Sequence, residues 1–173
     1  FKAVCWTDFF QGLLMLAALL AVPIVILATQ HLDFSLLNNV YTNTADGTVY
    51  ACGGSLFGAD IKEILSGLAW GRGYFGMPHI LVRFMSIEKP SMVKKSATVA
   101  IIWVVLALLA TTLVAYFGRM LVADELLPLG NQKTVFIVLA RKLFPAGIAG
   151  LLMAAIIAAS MSTADSQLLV ASS

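Results

Sequence analysis

Three long apolar runs constrain the fold of this chain more than any other feature. They cover residues 13–29, 97–117 and 145–164, and each approaches or exceeds the roughly 18–20 residues that a helix needs to cross the apolar core of a bilayer. Only 12% of the residues are charged, about half the share of a typical soluble domain. The chain is therefore expected to be an all-α, multi-pass membrane protein whose surroundings are lipid, and nucleic acid is not an expected partner.

The placement of the charges predicts which loops lie on which side of the membrane. Residues 30–59 have Asp33 and Asp46 as their only formal charges, whereas residues 83–95 contain four basic residues and one acidic residue. Because short cytoplasmic loops carry an excess of Lys and Arg, we predict that residues 30–59 are external and that residues 86–95 form a cytoplasmic loop. Four crossings then fit the chain, at about 6–29, 60–85, 96–117 and 145–173, with a second external connection at 118–144.

Neither end of the chain has the character of a loop. It begins at Phe1 rather than Met, and it stops at Ser173 inside an apolar helical stretch. We therefore expect a piece of a longer transporter or channel, with a complete four-helix protein as the alternative. The short loops and the lack of glycosylation sequons in the external segments fit a plasma membrane, specifically a bacterial inner membrane.

The second predicted crossing contains a stretch that an ordinary lipid-facing helix avoids, "SGLAWGRGYFGMPHILVRFM" at residues 66–85. Its four glycines weaken the helix, and Pro78 cannot donate the backbone hydrogen bond that the carbonyl of Tyr74 would receive in a continuous helix. Interrupted helices of transporters present such freed backbone to substrate and ions. Trp70 and Tyr74 are four residues apart and can wall a small pocket. The alternative is close helix packing at Gly67-x-x-x-Gly71.

A second polar feature lies in the fourth predicted crossing, "AAIIAASMSTADSQLLVASS". At about 100° per residue, Ser162, Asp165 and Ser166 form one patch, and Ala159, Ser162 and Thr163 form another. Oxygen donors with few charges suit hard cations, and an intramembrane carboxylate is a functional candidate by default. The alternative is that these hydroxyls bond to their own helix backbone or to a neighbouring helix.

Asp8, in "CWTDFFQG", has two interpretations that the sequence leaves open. With Gln11 three residues later, it has the pattern of a helix N-cap with a capping box. If the helix begins near Phe1, Asp8 instead lies within the bundle and needs a partner.

Three segments together, "AVCWTDFFQG", "WGRGYFGMPHILVRFM" and "AASMSTADSQLLVASS", resemble the sodium:solute symporter family, and most closely its proline branch. The resemblance covers the chain in order and spacing and is weakest in the two external connections. It implies a five-plus-five inverted-repeat fold, in which this chain supplies helices five to eight of the ten-helix core and the second crossing is the discontinuous helix. It implies sodium-coupled uptake of proline, with sodium as the coupling ion and L-proline or a similar small solute as the partner.

The resemblance also implies roles for individual residues. Substrate contact falls to Trp70, Tyr74 and Pro78. The main sodium site takes the carbonyl of Ala159 and the hydroxyls of Ser162 and Thr163, and a second cation site takes Asp8, Asp165 and Ser166 together with Ser162. Two residues depart from the pattern that the resemblance implies. Arg72 stands where the proline branch has an apolar residue, and Asp165 stands where a hydroxyl residue is often found.

Three rival functions remain at this point. A symporter of the same fold could carry another organic solute, such as a carboxylate, vitamin, sialic acid or sugar. An intramembrane aspartyl protease could be built from Asp8 and Asp165, but the Tyr-Asp and Gly-x-Gly-Asp contexts of that class are missing. A non-catalytic membrane scaffold is the third.

Overall fold

The computed structural model describes residues 2–51, 60–74, 76–85, 87 and 89–172, and most of these residues are helical. The helices are α1 (Lys2–Thr29), α2 (Ile61–Tyr74), α3 (Pro78–Met85), α4 (Pro90–Leu121), α5 (Ala123–Leu126), α6 (Val135–Leu143) and α7 (Ala146–Ala171). Two 3₁₀ turns, Phe34–Asn38 and Gln132–Thr134, and the antiparallel strands β1 (Tyr41–Thr42) and β2 (Val49–Tyr50) lie in the connections.

Within the described part of the chain, three helices are long and apolar enough to cross a membrane. They are Cys5–Thr29 of α1, the whole of α4, and Ala146–Leu168 of α7. The predicted second crossing, 60–85, consists of two shorter helices, α2 and α3. The arrangement of four crossings and its sidedness remain predictions.

The helix ends differ from the predicted loops at two places. α4 begins at Pro90, so residues 90–95 of the predicted cytoplasmic loop 86–95 are helical. Proline is favoured at the first position of a helix because its missing N–H has no partner to lose there. The predicted connection 118–144 contains the two short helices α5 and α6. Residues 52–59 of the predicted loop 30–59 lie outside the described residues.

The chain divides into two compact units. The first comprises residues 1–52 and 104–162, and the second comprises residues 53–103 and 163–173. The core of the first unit is formed by apolar side chains from α1, the end of α4, α5, α6 and α7, with Val22, Ile26, Val122 and Leu139 as its largest fully buried members. Pro23 lies inside α1 without ending it and is buried in this unit.

Gly118 allows α4 to approach α6 closely. A Cβ atom built on Gly118 would lie 2.2 Å from Cγ2 of Val135 and 3.6 Å from Cδ1 of Leu139. The first distance is far below van der Waals contact, so the packing of these two helices requires a residue without a side chain at this position.

Arg119 joins the segment 30–51 to the end of α4. The Arg119 guanidinium donates hydrogen bonds to the carbonyls of Leu37, Asn39 and Tyr50, at 3.3, 2.8 and 3.2 Å. It also lies 5.4 Å from the centre of the Tyr41 ring, in cation–π contact. Residues 30–51 of the predicted external loop are therefore ordered rather than an unstructured connection.

Candidate functional site

The helix that was predicted to be interrupted is interrupted in the structure. α2 ends at Tyr74 and α3 begins at Pro78, with Phe75 between them outside the described residues. The amide of Gly76 donates to the carbonyl of Gly73 at 3.1 Å, and the amide of Met77 donates to the carbonyl of Tyr74 at 3.3 Å. The Tyr74 carbonyl, which a proline at position 78 would leave without a partner in a straight helix, thus receives a bond from the residue before the proline.

Trp70 and Tyr74 form an aromatic pair on α2. Their ring centres are 5.6 Å apart and their planes are inclined by 37°, which is within the range of favourable aromatic contacts. Trp70 is 73% exposed and Tyr74 is 47% exposed. Pro78, the third predicted substrate residue, is also exposed and begins α3. All three belong to the second unit of the chain.

The glycines of α2 have open space around them. A Cβ atom added at Gly67 or Gly71 would meet no atom within 4 Å. Within the second unit, close packing of another described helix at Gly67-x-x-x-Gly71 therefore does not occur. Arg72 projects about 200° around the helix from Trp70, so its side chain leaves from the face opposite the aromatic pair.

The interpretation of Asp8 as a helix N-cap is wrong. α1 already spans Lys2–Thr29, so Asp8 lies inside the helix and its first turns need no cap from this residue. The hydroxyl of Ser162 donates a hydrogen bond of 2.8 Å to Oδ1 of Asp8. This bond joins α1 to α7 across 154 residues of sequence, and both residues are half-buried. The bundle interpretation of Asp8 is the correct one.

The capping-box interpretation of Gln11, one of the two that the sequence left open, is wrong for the same reason. Its side-chain oxygen Oε1 is buried and has no hydrogen-bond partner among the residues that the structure describes. Asp8 and Gln11 are three residues apart and share a face of α1. In this chain the Asp-x-x-Gln spacing lies on a polar face in the interior of a helix. The same local pattern also fits a helix N-cap, so the pattern alone does not distinguish the two.

The other predicted cation ligands all lie on α7. Ala159 belongs with Ser162 to the first unit, whereas Thr163, Asp165 and Ser166 belong to the second unit. Ala159 and Asp165 are half-buried, Thr163 is exposed and Ser166 is buried. Their roles in binding a cation remain predictions.

The donor chemistry of these residues suits one class of ion. No group of three or more His, Cys, Asp and Glu side chains that could hold a metal occurs among residues 2–51, 60–74, 76–85, 87 and 89–172. The candidate donors on α1 and α7 are instead hydroxyls, an amide oxygen, main-chain carbonyls and one carboxylate on each helix. Such ligands are preferred by hard cations and do not select zinc, copper or iron.

Comparisons with known proteins agree with the resemblance in the sequence. The chain matches the sodium:solute symporter family over residues 1–173. It is 41% identical over 174 aligned residues to sodium/proline symporter 2 of Staphylococcus saprophyticus, and 41% identical to a sodium/proline symporter of Staphylococcus aureus. The alignment covers the whole of this chain and 33% of each relative, so the chain spans about one third of their length. No solved structure matches the chain. The chain belongs to the sodium:solute symporter family and is a multi-pass plasma-membrane protein.

Proposed function

We propose that the full-length protein carries out sodium-coupled symport of proline, in which sodium moving down its gradient drives the uptake of the solute. The observation that carries this proposal is the interruption between Tyr74 and Pro78, which falls in the segment most specific to the proline branch. The names of the relatives with 41% identity over the whole chain support the same solute and the same ion.

The proposed architecture is the five-plus-five inverted repeat, with this chain supplying core helices five to eight. In this arrangement α2 and α3 are the two halves of one discontinuous helix. Interrupted helices of transporters place their broken ends near the bilayer midplane, where substrate and ions bind. The proposed substrate contacts are Trp70, Tyr74 and Pro78.

The proposed main sodium site consists of the Ala159 carbonyl with the Ser162 and Thr163 hydroxyls, completed by residues outside this chain. The proposed second site consists of Asp8, Ser162, Asp165 and Ser166. Sodium bound at the main site stabilises α7 against its neighbours and favours an outward-open state with a formed substrate pocket. Coupling follows because an ion shifts a conformational equilibrium by its difference in affinity for the two states.

Replacement of Trp70 tests the substrate site. In the full-length protein, Trp70→Ala should weaken proline binding, because the aromatic wall beside Tyr74 is lost. Leu68→Ala is a matched control, since Leu68 is a large apolar residue on the same helix and is 63% exposed. Proline affinity is measured by uptake of labelled proline at varied concentration. If Trp70→Ala, Leu68→Ala and wild type have equal affinity for proline, the aromatic pair has no role in binding.

Replacement of Thr163 tests the sodium site. Thr163→Ala should raise the sodium concentration for half-maximal uptake severalfold, because one oxygen ligand is removed. Thr111→Ala is a control of the same chemistry, since the Thr111 hydroxyl donates to the carbonyl of Ala107 in its own helix at 2.8 Å. An unchanged sodium dependence in Thr163→Ala would remove this residue from the site.

The second candidate function is symport of another small organic solute by the same mechanism, and Arg72 is the observation that favours it. A charged residue in a segment where the proline branch has an apolar one changes the chemistry near the interruption. Competition of labelled proline uptake by unlabelled carboxylates, vitamins, sialic acid and sugars distinguishes the two, because only the true solute competes at low concentration.

A further inference from the structure

We propose that the side-chain oxygen of Gln11 is a further ligand of the cation that binds at the contact between α1 and α7. The inference rests on the proposed function, which supplies sodium as the ion. Its starting point is the buried Oε1 atom of Gln11, which has no hydrogen-bond partner among the described residues. Buried polar atoms are almost always paired in native proteins, and an unpaired one calls for an explanation such as an absent ion.

The geometry places Gln11 on the side of α1 that faces α7. One end of this face is marked by Asp8, whose carboxylate receives the hydroxyl of Ser162. The other end is marked by Met15, which lines the same cavity of about 420 Å³ as Ala155 and Ala159 of α7. Asp8, Gln11 and Met15 fall within a sector of about 60° at 100° per residue.

The level of Gln11 along the helix is fixed by the same two contacts. Residue numbers rise along α1 from Asp8 to Met15 while they fall along α7 from Ser162 to Ala155, so the two helices run antiparallel here. Gln11 lies about 4.5 Å along the axis from Asp8, next to the turn of α7 between Ala159 and Ser162. That turn contains two of the proposed sodium ligands.

The donor chemistry of this contact favours a cation over a water molecule as the missing partner. Asp8 supplies a carboxylate inside a span of α1 that is apolar enough to cross a membrane. An amide oxygen beside a carboxylate and a hydroxyl forms the type of ligand set that a hard monovalent ion prefers. A protein that holds such an oxygen ready for an ion accepts a cost in stability when the ion is absent.

This cost gives the inference a signature that a merely structural glutamine lacks. Gln11→Leu removes the unpaired acceptor, so in sodium-free buffer the purified full-length variant should unfold at the same temperature as wild type or at a higher one. The sodium concentration that gives half of the sodium-induced thermal stabilisation should be roughly tenfold higher for this variant than for wild type. This is the loss of affinity expected when one interaction between a neutral ligand oxygen and a charged ion is removed. Gln11→Glu keeps an oxygen at this position and should bind sodium at least as tightly as wild type.

Gln30→Leu is the matched control, because Gln30 is exposed just beyond the end of α1 and the exchange is chemically identical. It should leave the half-saturating sodium concentration unchanged. A half-saturating concentration for Gln11→Leu within twofold of wild type overturns the inference, as does a Gln11→Glu variant that loses its sodium response. A lower melting temperature of Gln11→Leu without sodium also overturns it, since the glutamine would then be a packing residue.

The variant Asp8→Asn separates this inference from the proposed function. If wild type responds to sodium and neither Asp8→Asn nor Gln11→Leu alters the response, the ion binds elsewhere, and the role of Gln11 fails while sodium-coupled transport stands. If wild type shows neither sodium-dependent stabilisation nor sodium-dependent uptake, the proposed function itself fails.

Discussion

The close approach of α4 and α6 makes Gly118 the position where the smallest possible change should have a large effect. In Gly118→Ala, the new methyl group would lie 2.2 Å from Cγ2 of Val135. Val135 is β-branched, so its side chain has little freedom to rotate away inside a helix. Overpacking of this kind costs up to about 3 kcal/mol, and the better helix propensity of alanine returns about 1 kcal/mol. The free energy of unfolding should therefore fall by up to about 2 kcal/mol.

A double-mutant cycle measures this clash directly. We expect Gly118→Ala to destabilise the full-length protein in mild detergent, and Val135→Ala to restore much of the loss when it is added, because it removes the methyl group that is struck. Gly147→Ala is a matched control in α7, where the added Cβ meets no atom within 4 Å, and it should not destabilise the protein. Additive effects of Gly118→Ala and Val135→Ala would refute the close contact of α4 with α6.

Two further predictions concern the segment 30–51. Arg119→Ala should accelerate amide hydrogen exchange in β1 and β2, because three carbonyl hydrogen bonds and the contact with Tyr41 are lost. The control is Arg141→Ala, since Arg141 is exposed. Exchange rates in Arg119→Ala equal to those of wild type would argue against a role of Arg119 in holding the strands. The Ser35 hydroxyl, and then the Ser35 backbone N–H, hold the pKa of Asp33 below its ordinary value. The Asp33 cap of the turn Phe34–Asn38 should therefore be fully present above the ordinary carboxyl pKa and lost as the pH falls through the lowered pKa. NMR of residues 33–38 can follow this loss, and Asp33→Asn should abolish the pH dependence. A turn whose NMR signals do not change in acid would contradict the prediction.

The interruption of the second crossing could be predicted from the sequence because its causes are local. Glycines lower helix propensity wherever they stand, and Pro78 removes a donor whatever surrounds it. The helical start at Pro90 has an equally local cause, the preference of proline for the first turn. The loop prediction for residues 86–95 was based on their positive charge. Charge alone does not exclude a helix there, because Lys94 and Lys95 are also compatible with the first turns of a helix.

The contacts of Asp8 and Arg119 could not be predicted, because their partners are distant in sequence. Asp-x-x-Gln is the same pattern in a cap and in a helix interior, and the choice depends on whether the helix has already begun before Asp8. The hydroxyl that decides the role of Asp8 lies 154 residues away, and the carbonyls bound by Arg119 lie 69 to 82 residues away. The sequence around Arg119 gives no signal that this residue organises the loop before it.

The hydrogen bonds at the interruption limit which groups of α2 could bind a solute in the proposed site. The carbonyls of Gly73 and Tyr74 already receive the amides of Gly76 and Met77, and the Met77 carbonyl receives the amide of Ile80 at 3.0 Å. These backbone groups of the turn are thus largely satisfied by one another, which removes much of the cost of breaking a helix within a membrane. The surface that remains open is aromatic: the rings of Trp70 and Tyr74, 5.6 Å apart. Such rings attract both an apolar solute body and a cationic amine, so in the proposed site the aromatic pair, more than freed backbone, would supply the affinity of α2 for its solute.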